Sequence, residues 1–166
     1  MIKCNSHVIA DMKGLDLFVK ECINLEKKEI GIGFDETKHP DADMSMAALA
    51  WILDRGADIP NGVIPPRDFM ESTNDQFEVD NGRVTPLAVK KILYRGQAPE
   101  SALKPVGNAQ KRTMQEIMDI KLFSNPNNAP STIRQKGRDD ALIDTGKLRK
   151  AIKVRIGDKE SDVGED

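Results

Sequence analysis

The sequence predicts an α+β domain, in which strands near both chain ends form a mostly antiparallel sheet packed with several amphipathic helices from the middle of the chain. Its 166 residues are enough for one domain. Apolar residues alternate with polar residues or glycine over residues 30–34 and again over 152–156, as they do in strands. Between these segments apolar residues recur every three or four positions, which is the helical period.

The N-terminal part of the chain predicts two strands around one helix. Residues 1–10 predict a short leading strand. Gly14 opens an amphipathic helix whose stripe we expect to pack on one side, formed by Leu15, Phe18, Val19, Cys22 and Ile23. Residues 29–34 predict a strand with Gly31 and Gly33 on one face, where another backbone or a helix is expected to approach closely.

A buried helix and a loop follow. Ser45 is a predicted N-cap for a helix over Met46–Arg55, which is apolar on all sides. Gly56 is its predicted end. Residues 57–66 predict a loop, because Asn61-Gly62 is a turn dipeptide and two prolines follow it.

The middle of the chain predicts three more helices. The first covers residues 67–77, and Thr85-Pro86 opens the second, which ends at Gly96. Residues 99–107 predict a second loop. The third helix is marked by four apolar residues at helical spacing, Met114, Ile117, Met118 and Leu122.

The C-terminal part begins and ends without regular structure. Residues 125–130 contain two prolines and three asparagines, which exclude a helix or strand there. The strand over residues 152–156 has one wet face. Residues 157–166 hold five acids and one lysine, so we expect an acidic disordered tail after a single domain over residues 1–156.

Composition excludes several functional classes. The net charge is −2, which argues against a whole-chain nucleic-acid binder or a polybasic membrane ligand. Cys4 and Cys22 form no C-x-x-C pair, so we expect free thiols in a reducing compartment. Since no signal-peptide pattern is present and the most apolar run covers only residues 44–53, we expect a soluble protein made in the cytoplasm.

Few residues suit catalysis or metal binding. His7 and His39 lie in a predicted strand and an exposed loop, without the helical spacing that zinc sites use. The loop after His39 lacks the glycine and the distal glutamate of an EF-hand. No helix opens after Gly31 and Gly33, as a dinucleotide-binding turn would require. We therefore expect no enzymatic activity, no metal and no cofactor.

The sharpest electrostatic feature lies near the C-terminus. Residues 134–155 hold eight bases and three acids, a local net charge of +5. Such a cluster contacts phosphates, an acidic partner or only water. The bases are Arg134, Lys136, Arg138, Lys147, Arg149, Lys150, Lys153 and Arg155.

The same stretch resembles a known family. Residues 130–152 read P-S-T-I-R-Q-K-G-R-D-D-A-L-I-D-T-G-K-L-R-K-A-I. They are similar to the C-terminal signature of the virion morphogenesis, or tail-completion, family of tailed bacteriophages, in which T-I-x-x-K-G precedes a leucine-isoleucine pair, D-T-G and L-R-x-S-I. The matching residues are Thr132, Ile133, Lys136, Gly137, Leu142, Ile143, Asp144, Thr145, Gly146, Leu148, Arg149 and Ile152.

Upstream blocks are similar too. A G-I strand, an H-P-D loop, S-M-A-A-L-A before a glycine and I-P-P-R-x-F resemble the family's strand, its alanine-rich helix and its I-P-x-R-P-F block. Two positions depart from the family. It usually has an acidic-aromatic-glycine triplet where this chain has Asp54-Arg55-Gly56, and a proline where this chain has Asp68. Residues 77–125 match only as unspecific helices.

The D-T-G block has a predictable structural role. Short polar side chains at Asp144 and Thr145 accept backbone N–H bonds, and Gly146 permits a positive φ. This turn is expected to aim Leu148 and Ile152 into the core. The neighbouring bases Lys147, Arg149 and Lys150 are then expected to face outward.

The resemblance implies a non-enzymatic structural virion protein of the phage head-tail junction, or neck. It implies a homo-oligomeric ring, six- or twelve-fold, that completes the tail and joins it to the head. The implied partners are neighbouring neck, connector and tail-tube or terminator proteins, with packaged DNA nearby and no membrane. Ring assembly needs heterologous contacts.

Two such contacts are hypothesised. Residues 134–149 form a subunit or partner contact through Arg134, Lys136, Arg138, Lys147 and Arg149. Arg67 and Phe69 contribute to another, although core packing is the alternative for Phe69 and Leu148. Other functions stay open: a tail terminator or head-side stopper of the same neck, or a DNA-binding module that uses residues 134–155 and binds less tightly as salt rises.

Overall fold

The computed structural model describes residues 13–40, 43–60, 62–120, 127–128, 130, 133–134, 137, 142 and 146–158. Over these residues the protein is α+β, which confirms the predicted fold class. The helices are α1 (Lys13–Glu26), α2 (Met46–Arg55), α3 (Phe69–Asn81), α4 (Val84–Arg95), α5 (Pro99–Asp119) and α6 (Lys147–Lys150). The strands are β1 (Lys28–Gly33), β2 (Ala57–Ile59), β3 (Gly62–Ile64) and β4 (Lys153–Asp158).

Strands from the two ends of the chain pair, as the sequence predicts. β1 and β4 are antiparallel, with Ile30 opposite Ile156 and Ile32 opposite Val154. β4 continues to Asp158, so the first two residues of the predicted tail belong to the sheet. Residues 159–166, like the predicted leading strand over 1–10, lie outside the described residues.

The segment predicted as a loop over residues 57–66 forms a hairpin instead. β2 and β3 pair antiparallel, with Ile59 opposite Gly62. The loop prediction is therefore wrong, because strands of three residues are too short to show the alternation by which strands are recognised. Gly62 of the turn dipeptide is the first residue of β3, and Asn61 lies outside the described residues.

Gly56 ends α2, as predicted, and also sets the hairpin against it. Its φ is 76°, a region that favours glycine. A Cβ at this position would lie 2.6 Å from the carbonyl oxygen of Ile64 and 2.9 Å from the nitrogen of Pro66. The returning strand therefore passes close to the helix end only because residue 56 has no side chain.

Helix α5 corrects the second predicted loop. Residues 99–107 are helical, with Pro99 at the first position and Pro105 inside the helix. An interior proline costs about 3 kcal/mol of helix stability. Leu103 and Val106, on either side of it, are buried, and each such side chain contributes about 1.5–3 kcal/mol. Tertiary packing therefore overrides the local preference.

Two apolar clusters lie along α5. The first joins its N-terminal half to α3 and α4, through Phe77, Ala88, Ile92, Ala102, Leu103 and Val106. The second joins its C-terminal half to α2 and the start of α3, through Met46, Ala50, Phe69, Met114, Ile117, Met118, Leu142, Leu148 and Ile152. At 21 residues, α5 is about 30 Å long and spans both clusters.

The close approach predicted for the strand glycines occurs elsewhere. A Cβ at Gly31 or Gly33 would meet nothing within 4 Å, so that prediction is wrong. Gly107 of α5 instead faces the sheet, where a Cβ would collide with Val154 Cγ1 and lie 3.3 Å from Ile30 Cγ2. The glycine that permits close packing is therefore on the helix.

Candidate interaction surfaces

The turn before α6 positions the C-terminal signature. Gly146 has a φ of 72°, the positive value expected of it. Leu148 and Ile152 are buried in the second cluster, which confirms their predicted direction. Asp144 and Thr145 lie outside the described residues.

Several bases of the C-terminal segment have carboxylate partners. Arg149 Nε lies 2.8 Å from Asp119 Oδ1, so this side chain turns back onto α5. Arg155 lies 3.2 Å from Glu29 across the sheet. These ion pairs offset part of the local +5 charge, which weakens the case for phosphate binding by this segment.

The remaining candidates of this segment differ in their surroundings. Arg134 is exposed, and Lys147 is half-buried at the start of α6. Lys150 is exposed, as predicted. Lys136 and Arg138 lie outside the described residues. The contact hypothesised for this segment stays a prediction.

An ion-pair cluster ties the end of the sheet to α5. Lys28 Nζ lies 2.9 Å from Asp158 Oδ1 and 3.2 Å from Glu100 Oε1. Hydrogen bonds to Asp158 and Glu100 raise the pKa of Lys28 above its ordinary value. The pKa of Glu100 is lowered, first by a hydrogen bond from its own backbone and then by Lys28. Lys28 and Glu100 thus stay charged across the neutral pH range.

Arg67 and Phe69 lie inside the subunit. Phe69 has no exposed surface, and its ring meets the ring of Phe34 edge-on, with centroids 6.3 Å apart. Arg67 is 5% exposed. Their burial places both residues in the core, which was the alternative for Phe69, and leaves neither with a surface for a partner.

Asp54 anchors this block. Its backbone carbonyl accepts hydrogen bonds from the N–H groups of Arg67 and Asp68, at 3.0 and 3.1 Å. Its buried carboxylate accepts the N–H of Met70 at 2.9 Å. That N–H belongs to the first turn of α3 and has no partner within the helix. Asp54 therefore caps α3 although it lies 16 residues before Met70 in the sequence.

Asp68 explains one departure from the family pattern. Its φ is 43°, and it is the only non-glycine residue with a positive φ among those that the structure describes. Proline fixes φ near −65° and has no N–H to donate to Asp54. The backbone found here is therefore incompatible with a proline at position 68.

Glycine at position 68 is expected to stabilise the protein. Asp68→Gly relieves the left-handed strain and should raise the free energy of unfolding by about 0.5–1 kcal/mol. Asp68→Pro should lower it by about 3 kcal/mol or more. Urea unfolding followed by circular dichroism measures both. A lower free energy of unfolding for Asp68→Gly would contradict the left-handed backbone conformation at position 68.

Helix α1 exposes much of its apolar stripe. Leu15, Val19 and Ile23 are 51%, 47% and 49% exposed. Because they are four residues apart, they form one continuous row along the helix. The sequence predicts that this stripe is packed, and for these three residues that prediction is wrong. We call Leu15, Val19 and Ile23 the α1 row.

Helix α4 extends this exposed apolar surface. The rings of Phe18 and Tyr94 meet with centroids 6.1 Å apart, which places α4 beside α1. Tyr94 is 73% exposed and Leu87 is 58% exposed. With the α1 row and Phe18, these side chains present roughly 600 Å² of surface, at the upper limit for the largest apolar patch on a typical monomer.

Comparisons with known proteins were made at three levels. No family model, curated protein or solved structure matches this chain. Across the described residues, no helix is both long and apolar enough to cross a bilayer. No group of three or more histidine, cysteine or acidic side chains in that part of the chain is arranged to hold a metal ion. Inference of the function therefore depends on the fold and its surfaces.

Sequence reasoning missed the α1 row as an interaction surface. Its spacing is that of any amphipathic helix, so the pattern cannot show whether the covering partner belongs to the same chain. Only the positions of α4 and α5 reveal that the described part of the chain leaves this row uncovered. Exposure of the row, rather than any motif, therefore makes it a candidate.

Proposed function

We propose that this protein is a structural virion protein of a tailed phage, forming a ring at the head-tail junction that completes the tail and joins it to the head. The exposed apolar surface of α1 and α4 carries the proposal. The largest exposed apolar patch on a protein is often a functional contact site. The resemblance of residues 130–152 to the tail-completion family supplies the kind of assembly.

Burial of this surface provides the driving force. At about 25 cal/mol per Å², covering roughly 600 Å² contributes on the order of 15 kcal/mol before the cost of association is subtracted. A specific interface buries about 800 Å² on each partner. The surface on α1 and α4 is therefore large enough to be the greater part of one contact.

Deletion of the gene from the phage that encodes it tests the proposal. We expect DNA-filled heads and complete but separate tails in the lysate, seen by electron microscopy. Tails of uncontrolled length would instead assign the terminator role, and heads that lose their DNA would assign the stopper role. Normal infectious particles without the protein would overturn the proposal.

Complementation of that deletion tests the surface. Val19→Asp places a charge in the α1 row and should reduce the titre of joined particles at least about tenfold. Val63→Asp is the matched control, because Val63 is 69% exposed on β3, outside α1, α3 and α4. Surface changes of this kind alter stability by about 0.5 kcal/mol or less, so both variants should fold. Equal titres from the two variants would contradict a role for the row.

A further inference from the structure

Charge is segregated between two successive helices. Residues 68–81, which include α3, carry five acids and no base, whereas residues 83–95, which include α4, carry four bases and no acid. All nine side chains are exposed. They are Asp68, Glu71, Asp75, Glu78 and Asp80, and Arg83, Lys90, Lys91 and Arg95.

Packing on α5 produces these two faces. Phe69, Thr73 and Phe77 form the buried row of α3, and Ala88 and Ile92 are the buried residues of α4. Because both helices bury an apolar row against α5, their charged residues are left outside. One subunit therefore presents an acidic face on α3 and a basic face on α4.

The subunit does not neutralise either face. In the part of the chain that the structure describes, none of the nine charged side chains forms an ion pair. The bases Arg149 and Arg155, by contrast, each have a carboxylate within 3.2 Å. Segregated, unpaired charge on neighbouring helices gives each face an electrostatic preference for a partner of the opposite sign.

Each face also offers apolar surface. On α4 a groove of about 780 Å³ is lined by Thr85, Pro86, Val89, Lys90, Leu93 and Tyr94. On α3, Val79 is 80% exposed among the acids. An apolar centre within a charged rim is the usual organisation of a specific protein interface.

We propose that the basic face of α4 on one copy binds the acidic face of α3 on the next copy, with Val79 directed toward the α4 groove. The occupant is a second copy of this chain, because the chain itself carries the complementary charge. Since the two faces differ, the contact is heterologous and repeats from copy to copy until it closes. The inference rests on the proposed ring and assigns its subunit contact.

Charge reversal on purified full-length protein tests the contact. Lys90→Glu, Lys91→Glu and Arg95→Glu together change the α4 face from +4 to −2, so that both faces are acidic. Glu71→Lys, Asp75→Lys and Glu78→Lys together change the α3 face from −5 to +1, so that both faces are basic. We expect sedimentation to show at least about tenfold weaker self-association for each triple variant, because faces of like net charge then meet. Association of the wild type should weaken as salt rises, since salt screens exposed charges.

Mixing the two reversed variants is the decisive measurement. In an equimolar mixture every contact can again pair an acidic with a basic helix, and an even-numbered ring can alternate the two chains. The self-association constant of the mixture should therefore return to within about threefold of the wild-type value. Lys27→Glu, Lys38→Glu and Lys104→Glu together make the same change in net charge as the α4 triple variant, at exposed sites outside α1, α3 and α4, and should associate normally.

Three outcomes would overturn the contact: a monomeric wild type at all concentrations, reversed variants that associate like the wild type, or a mixture that stays dissociated. Circular dichroism confirms that each variant is folded. Failure of the proposed contact can be distinguished from failure of the proposed function. If deletion of the gene leaves heads and tails unjoined but the reversed variants still associate, the function stands and the contact does not. If particles assemble normally without a protein whose mixed variants re-associate, the contact stands and the function does not.

Discussion

Replacing Phe69 by alanine is expected to lower the free energy of unfolding by about 3–5 kcal/mol, the usual cost of removing a buried phenylalanine. The ring is fully buried between α2, α3 and the C-terminal half of α5, and it meets Phe34 edge-on. The change leaves a cavity that surrounding helices cannot close, because Asp54 fixes the start of α3. Native stability is only about 5–15 kcal/mol, so much of it would be lost.

Two control variants separate packing from partner contact at this site. Phe69→Leu keeps most of the volume and should cost less than about 1.5 kcal/mol. Val79→Ala, on the exposed side of the same helix, should change stability by about 0.5 kcal/mol or less. Urea unfolding followed by circular dichroism suits the comparison, since the single tryptophan, Trp51, is 62% exposed and reports weakly on the core. An alanine variant of normal stability that fails only in assembly would restore the contact hypothesis for Phe69.

Substitution of Gly107 is the second large effect that we expect. Gly107→Ala should destabilise the protein by about 1–3 kcal/mol, although alanine is the better helix former by about 1 kcal/mol. The added Cβ would collide with Val154 on the sheet. Helix α5 cannot move away easily, because Val106 and Leu103 beside this position are buried against other elements. Gly107→Leu should destabilise the protein by more than Gly107→Ala does.

A double-mutant cycle identifies the collision as the cause. Val154→Ala removes the methyl group that the new Cβ meets, so the double variant should be less destabilised than the sum of the single variants by about 0.5–3 kcal/mol. Gly14→Ala is the matched control, since a Cβ at this helical position meets nothing within 4 Å. It should not lower stability. Additive effects of Gly107→Ala and Val154→Ala would contradict the proposed close approach.

Features set by local chemistry could be predicted from sequence. Ser45 accepts the N–H of Ala48 and caps α2, because a hydroxyl at that position satisfies a donor that the helix cannot. Gly96 ends α4 with a φ of 61°, which residues with side chains rarely adopt. Alternation over residues 152–156 identified β4, since its two faces meet the core and solvent. Each of these depends on interactions within a few residues.

Boundaries and breaks that depend on packing could not be predicted. Pro105 predicts a helix break, yet α5 continues past this residue because the flanking apolar residues are buried. The α4 helix begins at Val84, before the predicted Thr85-Pro86 start. The distant cap that Asp54 provides for α3 has no local signal, because its donor, Met70, lies 16 residues away.

The candidate surfaces divide in the same way. The sequence alone shows that acids and bases are segregated over residues 68–95, where we propose the contact. That the charges face outward, and form no ion pair within the described part of the chain, follows only from the packing of α3 and α4 on α5. The C-terminal bases were equally visible, but Asp119 and Glu29, brought near by the fold, neutralise two of them.

By itself the sequence determined the fold class, the pairing of strands from the two ends and the positions of caps and glycine stops. These follow from spacing and from backbone preferences that act over a few residues. Only the tertiary structure decided that Phe69 is internal, that Gly107 lies against the sheet and that the α1 row is uncovered. Burial depends on which elements lie beside a residue in space, and amphipathic spacing specifies an apolar face without specifying what covers it.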